Sequence, residues 1–106
     1  MSAIDDIAAE RDRQIKAEGW SPMHDDQHSQ GELSKAAACY AIGKSALTSL
    51  GGSTVHVWPW EDYWFKQTNR RRDLVKAGAL IVAEIERLDR AALHPTQQPP
   101  HAGDGQ

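Results

Sequence analysis

The chain has 106 residues, 40% of them hydrophobic, a formal charge of −3 and one cysteine. That length gives a single domain with a small core, which must pack tightly or be completed by a second copy. Net negative charge argues against coating nucleic acid, because duplex binding relies on a basic face; the lone cysteine excludes an intrachain disulfide; and no charged start followed by an apolar stretch marks a leader or membrane span, so the expected compartment is the cytoplasm.

In chain order, a first helix is predicted from Ala3 to about Ala17, where Ile4, Ile7, Ala8, Arg11 and Ile15 recur at helical spacing, Ser2 and Asp5 form a capping box, and Gly19 stops the run. The connector from Gly19 to Gln30 reads as a loop. A second helix starts near Gln30 or Gly31, since Ser29-Gln30-Gly31-Glu32 fits the capping box, and it carries Leu33, Ala36, Ala37, Tyr40, Ala41 and Leu47 on one side until Gly51-Gly52. Ser53 to Val57 reads as a short extended piece. Trp58-Pro59-Trp60 is an irregular connection into a turn of helix that puts Trp60 and Trp64 on one face. A third long helix runs from about Arg70 to Ala92, with Leu74, Gly78, Ile81, Ile85 and Leu88 as its core stripe, flanked by Val75, Ala77 and Val82, and Gly78 against the alanines of the second helix. The predicted fold is all-α, three main helices plus a short aromatic helix over residues 1–92. It is expected to pack as a homo-oligomer, with a disordered tail over 93–106.

Three features carry chemistry. His24 and His28 stand four apart and, with Asp25, Asp26 and Glu32, make a mixed N/O set for a divalent metal, Mg, Mn or Zn; the plain alternative is a solvated polar loop. Arg70, Arg71 and Arg72 crowd the start of a helix, where positive charge opposes the dipole and an anion would be welcome, and Lys76 follows one turn later; the alternative is neutralisation by nearby carboxylates such as Glu61, Asp62 or Asp73. Five of the seven aromatic residues lie between Trp58 and Phe65. Together with Trp20 they suit either stacking on a base or closing a small core. Cys39, inside an alanine-rich run, reads as a small apolar residue.

The combination Glu10-Arg11-x-Arg13-Gln14, Glu18-Gly19-Trp20, His24-Asp25-Asp26-x-His28, Gly31-Glu32-Leu33, Trp58-Pro59-Trp60 and Arg71 to Leu80 resembles a group of small proteins encoded in bacteriophage and prophage genomes, over residues 10–90. The resemblance implies a phage setting and supplies no catalytic residue. A second resemblance is to all-helical, MazG-like nucleotide pyrophosphohydrolases, which hold Mg with acidic pairs on neighbouring helices. Glu86-x-x-Asp89 matches one such pair, no Glu-x-x-Glu partner stands upstream, and Glu10, Asp25, Asp26 and Glu32 are the substitute carboxylates. The function expected from all of this is a phage accessory protein that binds a small anionic, nucleotide-like ligand. Arg70, Arg71 and Lys76 would contact phosphate, Trp20 or Trp60 would stack, and His24, Asp25 and His28 would hydrogen-bond sugar or base. Sequestering a host signal nucleotide, an anti-defence role, is one use of such binding. Metal-dependent nucleotide hydrolysis, or an interaction module that presents its tryptophans to a host protein, are the alternatives.

Overall fold

The computed structural model describes residues 2–43 and 58–93. These residues form an all-α arrangement of four helices, α1 (Ala3–Ala17), α2 (Pro22–Asp26), α3 (Glu32–Ile42) and α4 (Arg70–Leu93), with a 3₁₀ turn at Asp62–Trp64. None of these helices is long and apolar enough to cross a membrane. Helix α4 is the central rod, and α1, α2 and α3 all pack on it. The second helix, expected to run on to Gly51-Gly52, ends at Ile42, because Gly43 takes φ +89°, leaves the helix and donates its N–H to Cys39 O at 2.8 Å; Leu47, the Gly51-Gly52 pair, the piece from Ser53 to Val57 and the tail from His94 lie outside the described residues.

Local chemistry sets the helix ends. Ser2 Oγ accepts from Asp5 N at 3.0 Å and starts α1. At its other end Gly19 adopts φ +74°, and Trp20 N donates back to Gln14 O at 3.0 Å, closing the turn around a left-handed glycine at the helix end. Ser21 then caps α2 directly, accepting from His24 N at 3.2 Å, with Pro22 in the first turn, where its missing N–H is no loss. The connector expected to be a loop therefore contains a short helix, because Ser-Pro is a start signal. The Ser29 box does not form as expected. Gly31 in the left-handed region (φ +83°) is the N-cap of α3, and Glu32 Oε1 instead accepts from Gln30 N at 2.7 Å. Helix α4 begins at a cap that the sequence reading missed: Asn69 Oδ1 accepts from Arg72 N at 2.8 Å, and Asp73 Oδ1 reaches back to Thr68 N at 2.8 Å.

The apolar core joins Leu33, Ala36, Ala37, Cys39 and Tyr40 of α3 to Ala77, Leu80 and Ala83 of α4, closed by Trp58. This is the expected face of α3; on α4 the expected flank, Val75 and Ala77, is buried and the expected stripe is not. Leu74, Ile81, Ile85 and Leu88 remain 42, 49, 51 and 39% exposed, while Ala77, Leu80 and Ala83 are at most 3% exposed. One residue is about 100° around a helix, and it is the small side chains of the adjacent stripe that let the alanines of α3 approach. Gly78 correspondingly meets α1 and not α3: a Cβ there would lie 2.8 Å from Ile7 Cδ1. The buried face of α1 is also not its apolar one, since Glu10, Arg11 and Gln14 are buried and Ile4 is 79% exposed.

Candidate functional site

Charge holds α1 to α4. Glu10, 2% exposed, is clasped by Arg13 at two positions (2.8 Å each), by Gln14 Nε2 at 3.1 Å and by Arg72 of α4. Burial pushes the Glu10 carboxyl up, but the hydrogen bond and charge of Arg13 and the charge of Arg72 outweigh it and hold the group below its ordinary value. Arg11 donates from Nη2 to Asp25 Oδ2 at 2.8 Å and from Nε to Glu86 Oε1 at 3.0 Å. Asp25 is fully buried, and its second oxygen, Oδ1, lies 3.1 Å from His24 Nδ1. Glu86, the carboxylate of the pyrophosphohydrolase-like pair, is thus committed to an arginine. Asp26 accepts from Arg90 at 2.7 Å.

The Gly19 turn and the Ser21 cap together aim Trp20 and His24 in one direction, with ring planes 6° apart and centroids 6.1 Å apart. Beyond them His28 stands edge-on to His24, centroids 4.8 Å apart, and Trp60 lies 5.3 Å from His28 and 6.1 Å from Trp20. Trp60 is itself perpendicular to the buried Trp58, at 5.3 Å, and Trp58 packs on Tyr40 and Phe65. The aromatic residues divide accordingly. Tyr40, Trp58 and Phe65 close the core, with Tyr40 Oη accepting from Lys66 N and Trp58 Nε1 donating to Glu61 O, both at 3.0 Å. Trp20, Trp60 and Trp64 line an open cleft of about 640 Å³ together with His24, His28, Pro59, Glu18 and Glu61. Its walls are rings and its ionised groups are carboxylates.

Beside it lies a much narrower cleft of about 20 Å³, reached by Glu10, Gln14, Glu18, Tyr40 and Lys76, room for about one water molecule. Gln14 Oε1 there is buried without a hydrogen-bond partner among the described residues. Lys76 Nζ donates to Lys66 O at 2.6 Å; burial and the charge of Arg72 lower its pKa.

The residues expected to form one site therefore separate. Trp20, His24, His28 and Trp60 converge on the large cleft, whereas Asp25 sits behind His24 and Lys76 lines the narrow cleft. Arg70 donates to Ala41 O, Arg71 to Asp6 at 2.6 Å and Arg72 to Glu10, so all three are engaged by α1 and α3. The expected five-residue metal set His24, Asp25, Asp26, His28 and Glu32 does not converge: Asp25 and Asp26 turn to arginines, and among the described residues no three His, Cys, Asp or Glu side chains come together around one point. What the sequence reading missed is Glu18 and Glu61 on the cleft and Arg11 behind it, whereas Trp64 joins Trp60 on the cleft. The period of α1 did place Arg11 on its packed face, but as part of an apolar stripe and not as a guanidinium feeding a buried carboxylate. Comparison with protein-family models, with curated proteins and with solved structures brings no match.

Proposed function

We propose that the protein is a small-ligand-binding module whose large cleft takes a flat, nitrogen-rich heteroaromatic group of the nucleobase kind. The carrying observation is the lining of the cleft. Trp20, Trp60 and Trp64 offer ring faces around about 640 Å³, and Glu18 and Glu61 offer acceptors at the same opening. A volume of a few hundred cubic ångströms is that of ordinary small-molecule sites, and stacking on an aromatic side chain contributes about 1–3 kcal/mol per base. Carboxylates accept from exocyclic amines and ring N–H groups and repel phosphate. With Arg70, Arg71 and Arg72 each donating to a protein oxygen, recognition rests on the base and not on an anionic tail. In the phage setting that the sequence resemblance implies, such a module would withhold a base-bearing signal from its host.

The test is tryptophan emission and thermal unfolding across matched nucleobases, nucleosides and nucleotides, with chromatography of each positive mixture for product. A base and its nucleotide are expected to bind within a few-fold of each other, and saturation at 100 times Kd to stabilise the fold by about 2.7 kcal/mol. Trp60→Ala is expected to weaken binding about tenfold or more. Strong preference for the phosphorylated forms would overturn the base-centred reading, and turnover that stops with a chelator would replace it with hydrolysis.

A further inference from the structure

We propose that His24 and His28 form a two-histidine site for a borderline transition-metal cation, Zn(II), Cu(II) or Ni(II), on the wall of the large cleft. The argument begins with the facing nitrogens. His24 Nε2 and His28 Nε2 are 3.4 Å apart, beyond the range of about 2.7–3.2 Å for a good N–H donor bond. Two nitrogens bound to one tetrahedral zinc at about 2.0–2.1 Å stand about 3.4 Å from each other. The separation is poor for a hydrogen bond and right for an ion bridging the two rings.

The other nitrogen of each ring supplies the second part. His24 Nδ1 lies 3.1 Å from Asp25 Oδ1, and His28 Nδ1 lies 3.8 Å from Glu32 Oε2. At His24 the hydrogen bond to Asp25 keeps the proton on Nδ1, leaves the Nε2 lone pair free to ligate and makes the ring a stronger donor, while Glu32 stands behind His28 at ion-pair distance. Asp25 cannot turn away, because it is fully buried and its other oxygen is held by Arg11, whose side chain is 7% exposed. The carboxylates thus stand behind the histidines and are not ligands themselves. The histidines are reachable, with side chains 33 and 19% exposed, and both line the cleft, so the remaining coordination positions open toward it. Neutral imidazoles favour zinc, copper and nickel, whereas magnesium and calcium demand oxygen. This inference does not rest on the base-binding reading, since the two rings and their carboxylates are sufficient for it.

The experiment is calorimetric titration of the full chain, prepared metal-free, with Zn(II) and with Mg(II), together with the absorption spectrum of the Co(II) form. One zinc per chain is expected, with no magnesium uptake at the same concentrations. His24→Ala and His28→Ala are each expected to weaken zinc binding more than tenfold with the helical circular dichroism retained. Long-range proton–nitrogen spectra of the unaltered protein give a reading independent of any variant: zinc should shift both Nε2 resonances and leave the Nδ1 of His24 protonated. Absence of saturable zinc binding overturns the proposal. So does full affinity in the His24→Ala/His28→Ala chain, which would place the ion on His56, His94 or His101.

Discussion

Toward α3, helix α4 contributes Ala77, Leu80 and Ala83 to an apolar cluster with Leu33, Ala36, Ala37 and Tyr40; toward α1, it contributes Arg71, Arg72 and Glu86 to ion pairs with Asp6, Glu10 and Arg11. The first contact is non-directional and scales with area removed from water. The second is directional, and a buried ion pair adds little net stability compared with apolar residues of equal volume. What it adds here is placement: Arg11 ends on Asp25, and Asp25 ends on His24, so the charged seam delivers the cleft's histidine to its position. One seam holds the fold and the other aims the site.

The largest effects come from breaking each seam at its centre. Asp25→Ala leaves the Arg11 guanidinium buried with the half-exposed Glu86 as its one remaining charged partner among the described residues and a long bond to Trp20 O, and is expected to cost about 3 kcal/mol. Leu80→Ala, at a fully buried position of the apolar seam, is expected to cost about 2–5 kcal/mol. Urea unfolding measures both, and these variants alone do not tell the seams apart. The double variant Arg11→Met/Asp25→Leu does. Replacing a buried pair by apolar residues is expected to restore stability to within about 1 kcal/mol of the unaltered chain, while zinc affinity falls at least tenfold because His24 has lost its carboxylate. Recovery of both properties would mean that the charged seam has no aiming role.

A smaller, pH-dependent difference follows from Glu10. Its carboxyl is held below its ordinary value of 4.5 in the fold, so its contribution is fully present above that pH and is lost as pH falls through the lowered folded-state value. Urea midpoints recorded from about pH 6 down to about pH 3 should therefore fall in acid, and Glu10→Gln should flatten that fall at the cost of a lower midpoint at neutral pH. An equally steep fall in Glu10→Gln would assign the acid sensitivity to other carboxylates.

Helix existence was legible because local signals state it: the bounds of α1 and the start of α4 coincide with the Ser2 cap, the Gly19 stop and the arginine run. Which face is buried was legible on α3 but not on α4. On α4 two neighbouring stripes are both apolar enough, and the choice between Leu74-Ile81-Ile85-Leu88 and Ala77-Leu80-Ala83 is made by the alanines of another helix, a fact of tertiary packing that periodicity cannot contain. The candidate site was legible in half. His24, His28, Trp20 and Trp60 are close in sequence or belong to the aromatic run, and they do converge. Neutralisation of the arginines was weighed from the nearby Glu61, Asp62 and Asp73, but Arg71 and Arg72 are met by Asp6 and Glu10, 65 and 62 residues away along the chain. Long-range ion pairs leave no local pattern.

Gly78 offers the finest test of the comparison, because it lies where α4 turns from the apolar seam to the charged one. In the helix interior Ala in place of Gly gains about 1 kcal/mol of propensity. The added Cβ would stand 2.8 Å from Ile7 Cδ1 and 3.0 Å from Ile7 Cγ1, and overpacking of that kind costs about 1–3 kcal/mol. Gly78→Ala is therefore expected to be neutral or destabilising by up to about 2 kcal/mol. Ile7→Val removes the nearest atom, Cδ1, so Gly78→Ala/Ile7→Val should be more stable than the sum of the single changes by about 0.5–1 kcal/mol, a coupling that a double-mutant cycle of urea midpoints reads directly. If the two changes add without coupling, α1 is free to shift on α4 at this point and the helices are fixed by the Arg72–Glu10 and Arg11–Asp25 pairs alone; if they couple, close contact at Gly78 sets the spacing within which those pairs form.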